Sequence, residues 1–418
     1  MCQPAPAQPI RPTRGGSNRR LWFDLHSWLG LKLCLFMGFV CLTGTLAVFS
    51  QEIDWLLHPP MRVADTGEQA GWGPVIHAAQ AAHPDWELEG ITAGHTRLFA
   101  ARAQMRLPDG TRRFVWVNPY TAQVTGDTGW FNTQRFLRNT HRHLMLPVAW
   151  GVPLVAALSI PLLLSLLSSL YIYKKWWRGF FKRPDPSRPR RLWGDVHRLA
   201  GVWSLWFLLL IGLTGAWYLI ESLGGDAPAA PTQRLAEDGD GVTPVVPAAV
   251  DAAVQAVRQQ WPRLDILGAI PARDGGSILF MGEADAWLVR ERANNIAVDL
   301  KTGRVIGMHD GRALGVHQRI AEMADPLHFG SFGGWPIRVV WLLAGTLLTG
   351  LCFTGVYLYG LRTVDFVALQ GKAGAGMSGD KKLPGAWRAA WWGMGRWRWL
   401  WVGLLVVWAV LVPREMMK

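Results

Sequence analysis

Four stretches of the chain are apolar with little interruption: Leu29 to Phe49, Val148 to Tyr173, Leu199 to Ile220 and Val339 to Leu361. Each holds about 20 residues, the length a helix needs to cross a hydrocarbon layer of roughly 30 Å. A fifth, Trp397 to Val412, is shorter and borderline. The long segments between the first and second stretches, and between the third and fourth, are patterned differently. Each begins with an Ala-rich helical run, His77 to Pro84 or Val250 to Pro262. Short alternating runs follow, such as Phe114 to Val117 and Ser277 to Met281, which predict strands closed by turns. The pattern predicts a membrane α-helical bundle of four core helices and a shorter fifth, carrying two small α+β domains outside the membrane.

The chain also repeats itself, a signal worth finding before any local reading. Arg19-Arg20-Leu21-Trp22-Phe23-Asp24-Leu25-His26 is echoed by Arg190-Arg191-Leu192-Trp193-Gly194-Asp195-Val196-His197. Leu42-Thr43-Gly44 and Leu213-Thr214-Gly215 follow the two histidines at the same spacing. The stretch from Val117 to Gly126 matches that from Val298 to Gly307. A unit of helix, α+β domain and helix is thus present twice. Both copies start on the same side, so the repeat is parallel, about a two-fold axis along the membrane normal.

Charge sets the orientation. Only 17% of the residues are charged, against a net charge of +13, and the basic residues crowd beside the apolar stretches. Arg11, Arg14, Arg19 and Arg20 precede the first; Lys174 to Arg191 is a basic connection; Lys372, Lys381, Lys382, Arg388, Arg396 and Arg398 precede the fifth. That distribution argues against nucleic acid as a partner, and by the positive-inside rule these segments are cytoplasmic. The resulting division is a basic N-terminus (1–20), first helix (21–50), first outer domain (51–140), second helix (141–173), basic loop (174–191), third helix (192–221), second outer domain (222–330), fourth helix (331–362), cytoplasmic loop (363–396) and fifth helix (397–413). The first helix is expected to remain as an anchor, being long for a signal peptide and lacking a small-residue cleavage site. Trp clusters at the helix ends suit an interfacial belt in contact with lipid. Cys34, Cys41 and Cys352 lie in apolar stretches and Cys2 at the terminus, so no disulfide framework is expected outside.

Ionisable side chains in a membrane span are costly and mark function. His26 and His197 stand at matched depth near the cytoplasmic ends of the first and third helices, and His141 and His328 near the outer ends of the second and fourth. Two imidazoles from facing helices suit the two axial positions of a haem iron. Such haem would be b-type, since no Cys-x-x-Cys-His is present for covalent attachment. The expected pairs are His26 with His197 and His141 with His328, holding two haems b. His143, two positions after His141, competes for the outer role, and His317 is kept in reserve. Interfacial or packing roles are the alternative for any one of these histidines.

The two Leu-Trp-x-Asp-x-His starts, the run Tyr173-Lys174-Lys175-Trp176-Trp177-Arg178-Gly179-Phe180-Phe181-Lys182-Arg183-Pro184, and Leu327-His328-Phe329-Gly330-Ser331-Phe332-Gly333-Gly334 together resemble the PepSY-associated transmembrane proteins. Within that family the likeness is to the iron-uptake or siderophore reductases of bacterial inner membranes, and it extends from Arg19 to Arg362. The resemblance implies PepSY-type domains in the periplasm, haem-binding helices and, in some members, reduction of ferric siderophore complexes. Relatives often carry His where this chain has Tyr173, which removes one rival partner for the cytoplasmic haem.

The expected function is an oxidoreductase: a di-haem b-type protein of the inner membrane that passes electrons to a ferric siderophore or other iron chelate and releases Fe(II). The donor is a quinol or a cytoplasmic reductase, because no Gly-x-Gly-x-x-Gly opens a βαβ unit in the short inner loops. A non-enzymatic envelope-binding or regulatory protein and a siderophore transporter are the alternatives. Outer aromatics (Trp72, Trp86, Trp130, Trp287) and basic residues (Arg97, Arg102, Arg112, Arg113, Arg273, Arg290, Arg292) stand either as solvated surface or as contacts for an anionic or catecholate ligand.

Overall fold

A computed structural model describes residues 15–232, 243–373 and 385–416. Cys2, Arg11, Arg14, Lys381 and Lys382, which figure in the charge and cysteine patterns, lie outside the described residues. The elements run α1 (Gly15–Ala47), α2 (Ser50–Leu57), α3 (Trp72–Ala82), β1 (Glu87–Thr92), β2 (Ala101–Arg106), β3 (Arg112–Val117), β4 (Val124–Gly129), α4 (Thr133–His143), α5 (Val148–Ala156) and α6 (Ser159–Ile172). They continue with α7 (Pro189–Trp203), α8 (Leu205–Ile220), α9 (Pro247–Gln260), β5 (Asp265–Pro271), β6 (Ser277–Glu283), β7 (Asn295–Asp299), β8 (Val305–His309), α10 (Val316–Phe329), α11 (Gly334–Ala373), α12 (Ala386–Gly393) and α13 (Trp397–Met416). Among the described residues, five helical spans are long and apolar enough to cross a membrane: Asn18–Ala47, Val148–Ile172, Leu205–Gly225, Ser331–Ala368 and Trp397–Met416. The chain is therefore a multi-pass membrane protein with an antiparallel sheet domain.

The chain divides into two compact units. One comprises 1–42, 157–216 and 343–407, which hold most of the apolar helices. Here the helices meet closely. A Cβ on Gly212 would fall 2.6 Å from Leu163 Cδ2, so the absent side chain is what lets α8 approach α6. Lys32, in the middle of α1, donates from Nζ to the carbonyls of Gly393 (2.7 Å) and Met394 (3.1 Å). A lysine charge inside an apolar helix is thereby spent on the unpaired carbonyls at the end of α12. Trp401 of α13 donates to the Lys32 carbonyl and stacks on Phe36, ring centres 5.0 Å apart, which fastens α13 to α1.

The other unit comprises 43–156, 217–342 and 408–418. Its strands form a single antiparallel sheet in the order β4-β3-β2-β1-β5-β6-β7-β8. Two separate domains, 51–140 and 222–330, were expected; instead Ile91 of β1 pairs with Ala269 of β5 and the two sets of four strands close into one sheet. Each set alone would present a bare edge strand, and joining them buries both. The hairpins β3-β4 and β7-β8 bend at matching positions, with a register shift at Trp116/Val117 in one and Ala297/Val298 in the other. Ala122 (φ 53°) and Gly303 (φ 66°) take the left-handed position in the two turns.

One face of the sheet is covered by α3 and α9. Met105, Val115, Val117, Ile278, Phe280, Ile296 and Val298 meet Ile76, Ala79, Val250 and Val257 in a fully buried core. The helices pack side by side because Gly73 has no side chain: a Cβ there would collide with the Pro247 carbonyl, and its amide donates to Asp251 Oδ1 at 3.0 Å. The opposite face, over the first four strands, carries a second cluster of Met61, Phe99, Ala100, Phe114 and Trp116.

Candidate functional site

His26 sits two turns into the membrane span of α1, and His197 lies on α7. Their ring centres are 6.5 Å apart with planes at 78°. An imidazole nitrogen lies about 2 Å from a metal it ligates and about 1 Å from its own ring centre. Two imidazoles gripping one ion from opposite sides therefore have centres about 6 Å apart.

The proton on each ring is assigned by its neighbours. Nδ1 of His26 lies 3.2 Å from the Ser165 carbonyl and 3.0 Å from Ser168 Oγ. The Ser168 hydroxyl already donates to the Ser165 carbonyl (3.0 Å), so both oxygens accept and Nδ1 carries the hydrogen. His197 repeats the device with a different residue: Nδ1 is 2.8 Å from Thr354 Oγ1, whose hydroxyl donates to the Gly350 carbonyl at 2.8 Å. In both rings Nε2 keeps its lone pair, the tautomer that a histidine ligand fixed from behind requires. Gly355 lies beside the second ring, where a Cβ would stand at ordinary contact, 3.5 Å from His197 Cε1.

The aspartates of the repeated motif do not orient these rings. Asp195 is buried and pairs with Arg198 and with Lys182 (3.5 Å), while Asp24 is largely exposed and reaches Arg20 at 4.0 Å. The motif therefore anchors the entry to α7 in one copy only. The residues that hold the imidazoles, Ser165, Ser168 and Thr354, lie on distant stretches, and no local motif announces them.

His141 and His328 form the second pair, with ring centres 6.0 Å apart and planes at 42°. Neither lies in the membrane helix that follows it. His141 belongs to α4, which ends at Leu144 and Met145 in left-handed conformation (φ 55° and 58°) before α5 begins. His328 belongs to α10, which ends at left-handed Gly330 (φ 67°) before α11. The expectations of a second membrane helix starting at 141 and a third at 192 are corrected: those spans begin at Val148 and Leu205, so His141 on α4 and His197 on α7 precede them. The chain breaks after His141 and His328, each presented from a separate short helix.

α4 is fixed at its start. Asn132 Oδ1 accepts from the Arg135 amide (3.0 Å), and fully buried Asp54 of α2 accepts from the amides of Thr133 (2.8 Å) and Gln134 (2.9 Å). A carboxylate against the positive end of a helix is the favoured arrangement. Trp408 of α13 donates to Thr140 Oγ1 at 3.1 Å. α10 is fixed by buried Glu322, which accepts from Arg290 (2.7 Å) and Arg292 (3.0 Å) and is held below the ordinary carboxylate range: burial opposes ionisation, and the two guanidiniums outweigh it.

Gly44 is the cradle for His141. A Cβ at Gly44 would stand 2.6 Å from His141 Cε1 and 2.7 Å from Nδ1, so the ring occupies the space a side chain would fill. His328 lies with its ring 5.2 Å from Tyr218, whose hydroxyl donates to Asp325 Oδ1 at 2.7 Å. Arg290 closes that chain at 3.1 Å from Asp325 Oδ2. The sequence reading missed Tyr218 and Asp325 as neighbours of His328; the position of Asp325 one turn before His328 was the available signal.

His143 is placed otherwise. It is buried with Nδ1 donating to the Leu146 carbonyl at 2.8 Å, inside the turn it helps to close. His317 is exposed, with Nε2 3.2 Å from the Gly225 carbonyl and its ring against Trp217. Among the described residues no three His, Cys, Asp or Glu gather as a metal-binding group. Two imidazoles alone underserve a four-coordinate zinc site but fill both axial positions of a haem. The donor chemistry, the spacing and the Gly44 cradle fit the group expected from sequence.

The family model for the PepSY-associated TM region matches residues 15–362. The uncharacterized protein PA4219 of Pseudomonas aeruginosa strain PAO1 is 26% identical over 245 residues, which are 53% of this chain and 62% of that protein. The chain thus spans less than two thirds of the length of the curated relative it matches. With five apolar spans and the full run from α1 to Arg362 matched, the chain belongs to the PepSY-associated transmembrane family.

Proposed function

We propose that the chain is a di-haem b-type electron-transfer protein of the bacterial inner membrane that reduces a ferric siderophore or related chelate on the periplasmic side. The observation that carries the reading is the recurrence of one arrangement: two histidine pairs with ring centres 6.5 and 6.0 Å apart. His26 and His197 would hold one haem and His141 and His328 the other. Bound there, the group would supply one-electron redox chemistry, with a potential tuned by these histidines and their hydrogen-bond partners. The protein's own part is to fix the tautomers through Ser168 and Thr354 and to exclude water around the rings. In this reading the chain is two copies of one unit in parallel, oriented by its basic loops with the N-terminus in the cytoplasm. The ferric complex is the substrate, and a quinol or a soluble cytoplasmic reductase supplies the electrons.

The test begins with an absorption spectrum of the purified protein expressed with haem supplied. A Soret band and a reducible α-band are expected, with two haems per chain. His197→Ala and His328→Ala each leave one haem. In sealed vesicles containing a reductant, external ferric chelate is reduced without being taken up. A protein with no haem, and with all four histidines dispensable, is instead an envelope-binding protein; uptake without reduction makes it a transporter.

A further inference from the structure

The sheet face opposite α3 and α9 carries charges that its surroundings do not neutralise. On β2 and β3 this face presents Arg102, Gln104 and Arg106 beside Trp116, Phe114 and Arg112, partners in register. Phe114 packs on Trp130 with ring centres 4.9 Å apart, and three guanidiniums surround the two rings. Arg135 of α4 lies 3.2 Å above the Trp130 ring centre, Arg112 5.5 Å from it, and Arg102 5.2 Å from that of Phe114.

Neighbouring arginines have partners. Glu89 accepts from Arg112 (2.7 Å) and from Arg106 (2.6 Å), and Asp127 from Arg113 (2.7 Å). Among the described residues, Arg102 and Arg135 make no ion pair; Glu291 reaches Arg102 only as a more distant charge. Among the described residues the buried Nε of Arg135 finds no hydrogen-bond partner. Burial and the charges of Arg102, Arg138 and Arg112 push the Arg135 guanidinium down to about 10. Arg138, one turn further along α4, is exposed and also without an ion pair among the described residues. Like charges held together beside flat rings are costly by themselves, and an oxyanion relieves that cost by taking several charge-assisted hydrogen bonds. Guanidiniums suit planar ligands, which they both bond and stack on.

We propose that Arg102, Arg135 and Arg138, beside the half-buried Trp130, form a binding site for a multiply anionic ligand built of aryl oxyanions. On the reductase reading above, on which this identification of the ligand rests, that ligand is a ferric complex of the tris-catecholate class. The site selects by charge: a neutral ferric trihydroxamate of similar size gains nothing from the unpaired guanidiniums.

The test uses the full-length protein in nanodiscs of neutral lipid, with each ferric complex titrated by equilibrium dialysis and, separately, reduced in sealed vesicles. Arg102→Gln, Arg135→Gln and Arg138→Gln are each expected to weaken tris-catecholate binding about tenfold or more while changing trihydroxamate binding less than about twofold. Arg135→Lys, which keeps the charge, recovers part of the loss and controls for folding. Arg138→Gln, at an exposed position, does so independently. Raising salt weakens tris-catecholate binding more in the parent than in the variants. Variants that bind like the parent, or that lose both complexes equally, overturn the site. So does a fall in haem content in Arg138→Gln, or displacement of the chelate by anionic lipid alone, since the arginines would then serve haem carboxylates or headgroups. Selective binding without any reduction leaves the site standing and removes the reductase reading; reduction with variants indistinguishable from the parent does the reverse.

Discussion

Replacing Gly44 by Ala separates haem ligation from mere proximity of His141 and His328. The added methyl would lie 2.6 Å from His141 Cε1 and 2.7 Å from Nδ1. Ordinary carbon contacts begin near 3.5 Å, so the ring must retreat by about 1 Å. The atom that yields is at the end of a side chain, so α1 and α4 can stay in place at an overpacking cost of about 1–3 kcal/mol. A ligand bond tolerates about 0.2 Å, several times less than the required movement. The expected outcome is a folded protein that keeps the haem at His26 and His197 and loses the other, read as a fall from two haems to one per chain. Gly355→Ala is the matched control: its Cβ position, 3.5 Å from His197 Cε1, is an ordinary contact, and both haems remain. A Gly44→Ala protein with two haems and an unaltered spectrum would refute the placement of His141.

Removing the hydroxyl in Thr354→Val leaves Nδ1 of His197 without its acceptor. Loss of such a supporting partner costs roughly 10- to 100-fold in metal-centre affinity; haem retention on dilution measures it, and retention equal to the parent contradicts the tautomer assignment. Asp54→Ala removes both acceptors at the start of α4 and is expected to lower stability by about 1–3 kcal/mol. Thermal unfolding in detergent checks this, and loss of the haem at His141 should accompany it. Glu89 tests the electrostatics of the sheet. Burial raises its affinity for a proton, but the bonds from Arg112, Gln104 and Arg106 outweigh this and bring it from 4.5 down to about 2. Its stabilisation is therefore complete above about 4.5 and is lost as pH falls toward 2. Glu89→Gln should be less stable than the parent at pH 7 and converge with it near pH 2; a constant difference across that window counts against the ion-pair account.

The apolar lengths, the basic flanks and the repeated Leu-Trp-x-Asp-x-His were enough to read a multi-pass membrane protein and its family, because hydrophobic length and local motifs are properties of the chain itself. The four histidines stood out as candidates for the same reason: an ionisable side chain beside an apolar run is conspicuous without knowledge of its partner. What lay beyond the sequence was every relation between distant segments. Whether the two sets of four strands form two sheets or one depends on whether β1 and β5 meet, a contact between residues far apart in the chain. His141 and His143, two positions apart on α4, stand on opposite sides of the helix, and only the packing shows that the first ring lies beside His328 while the second bonds into its own turn. The partners of the first pair were equally out of reach: Ser168 and Thr354, brought in by the packing of other helices, hold the rings. Local patterns record which groups are costly where they stand; only the tertiary structure decides which other groups meet that cost.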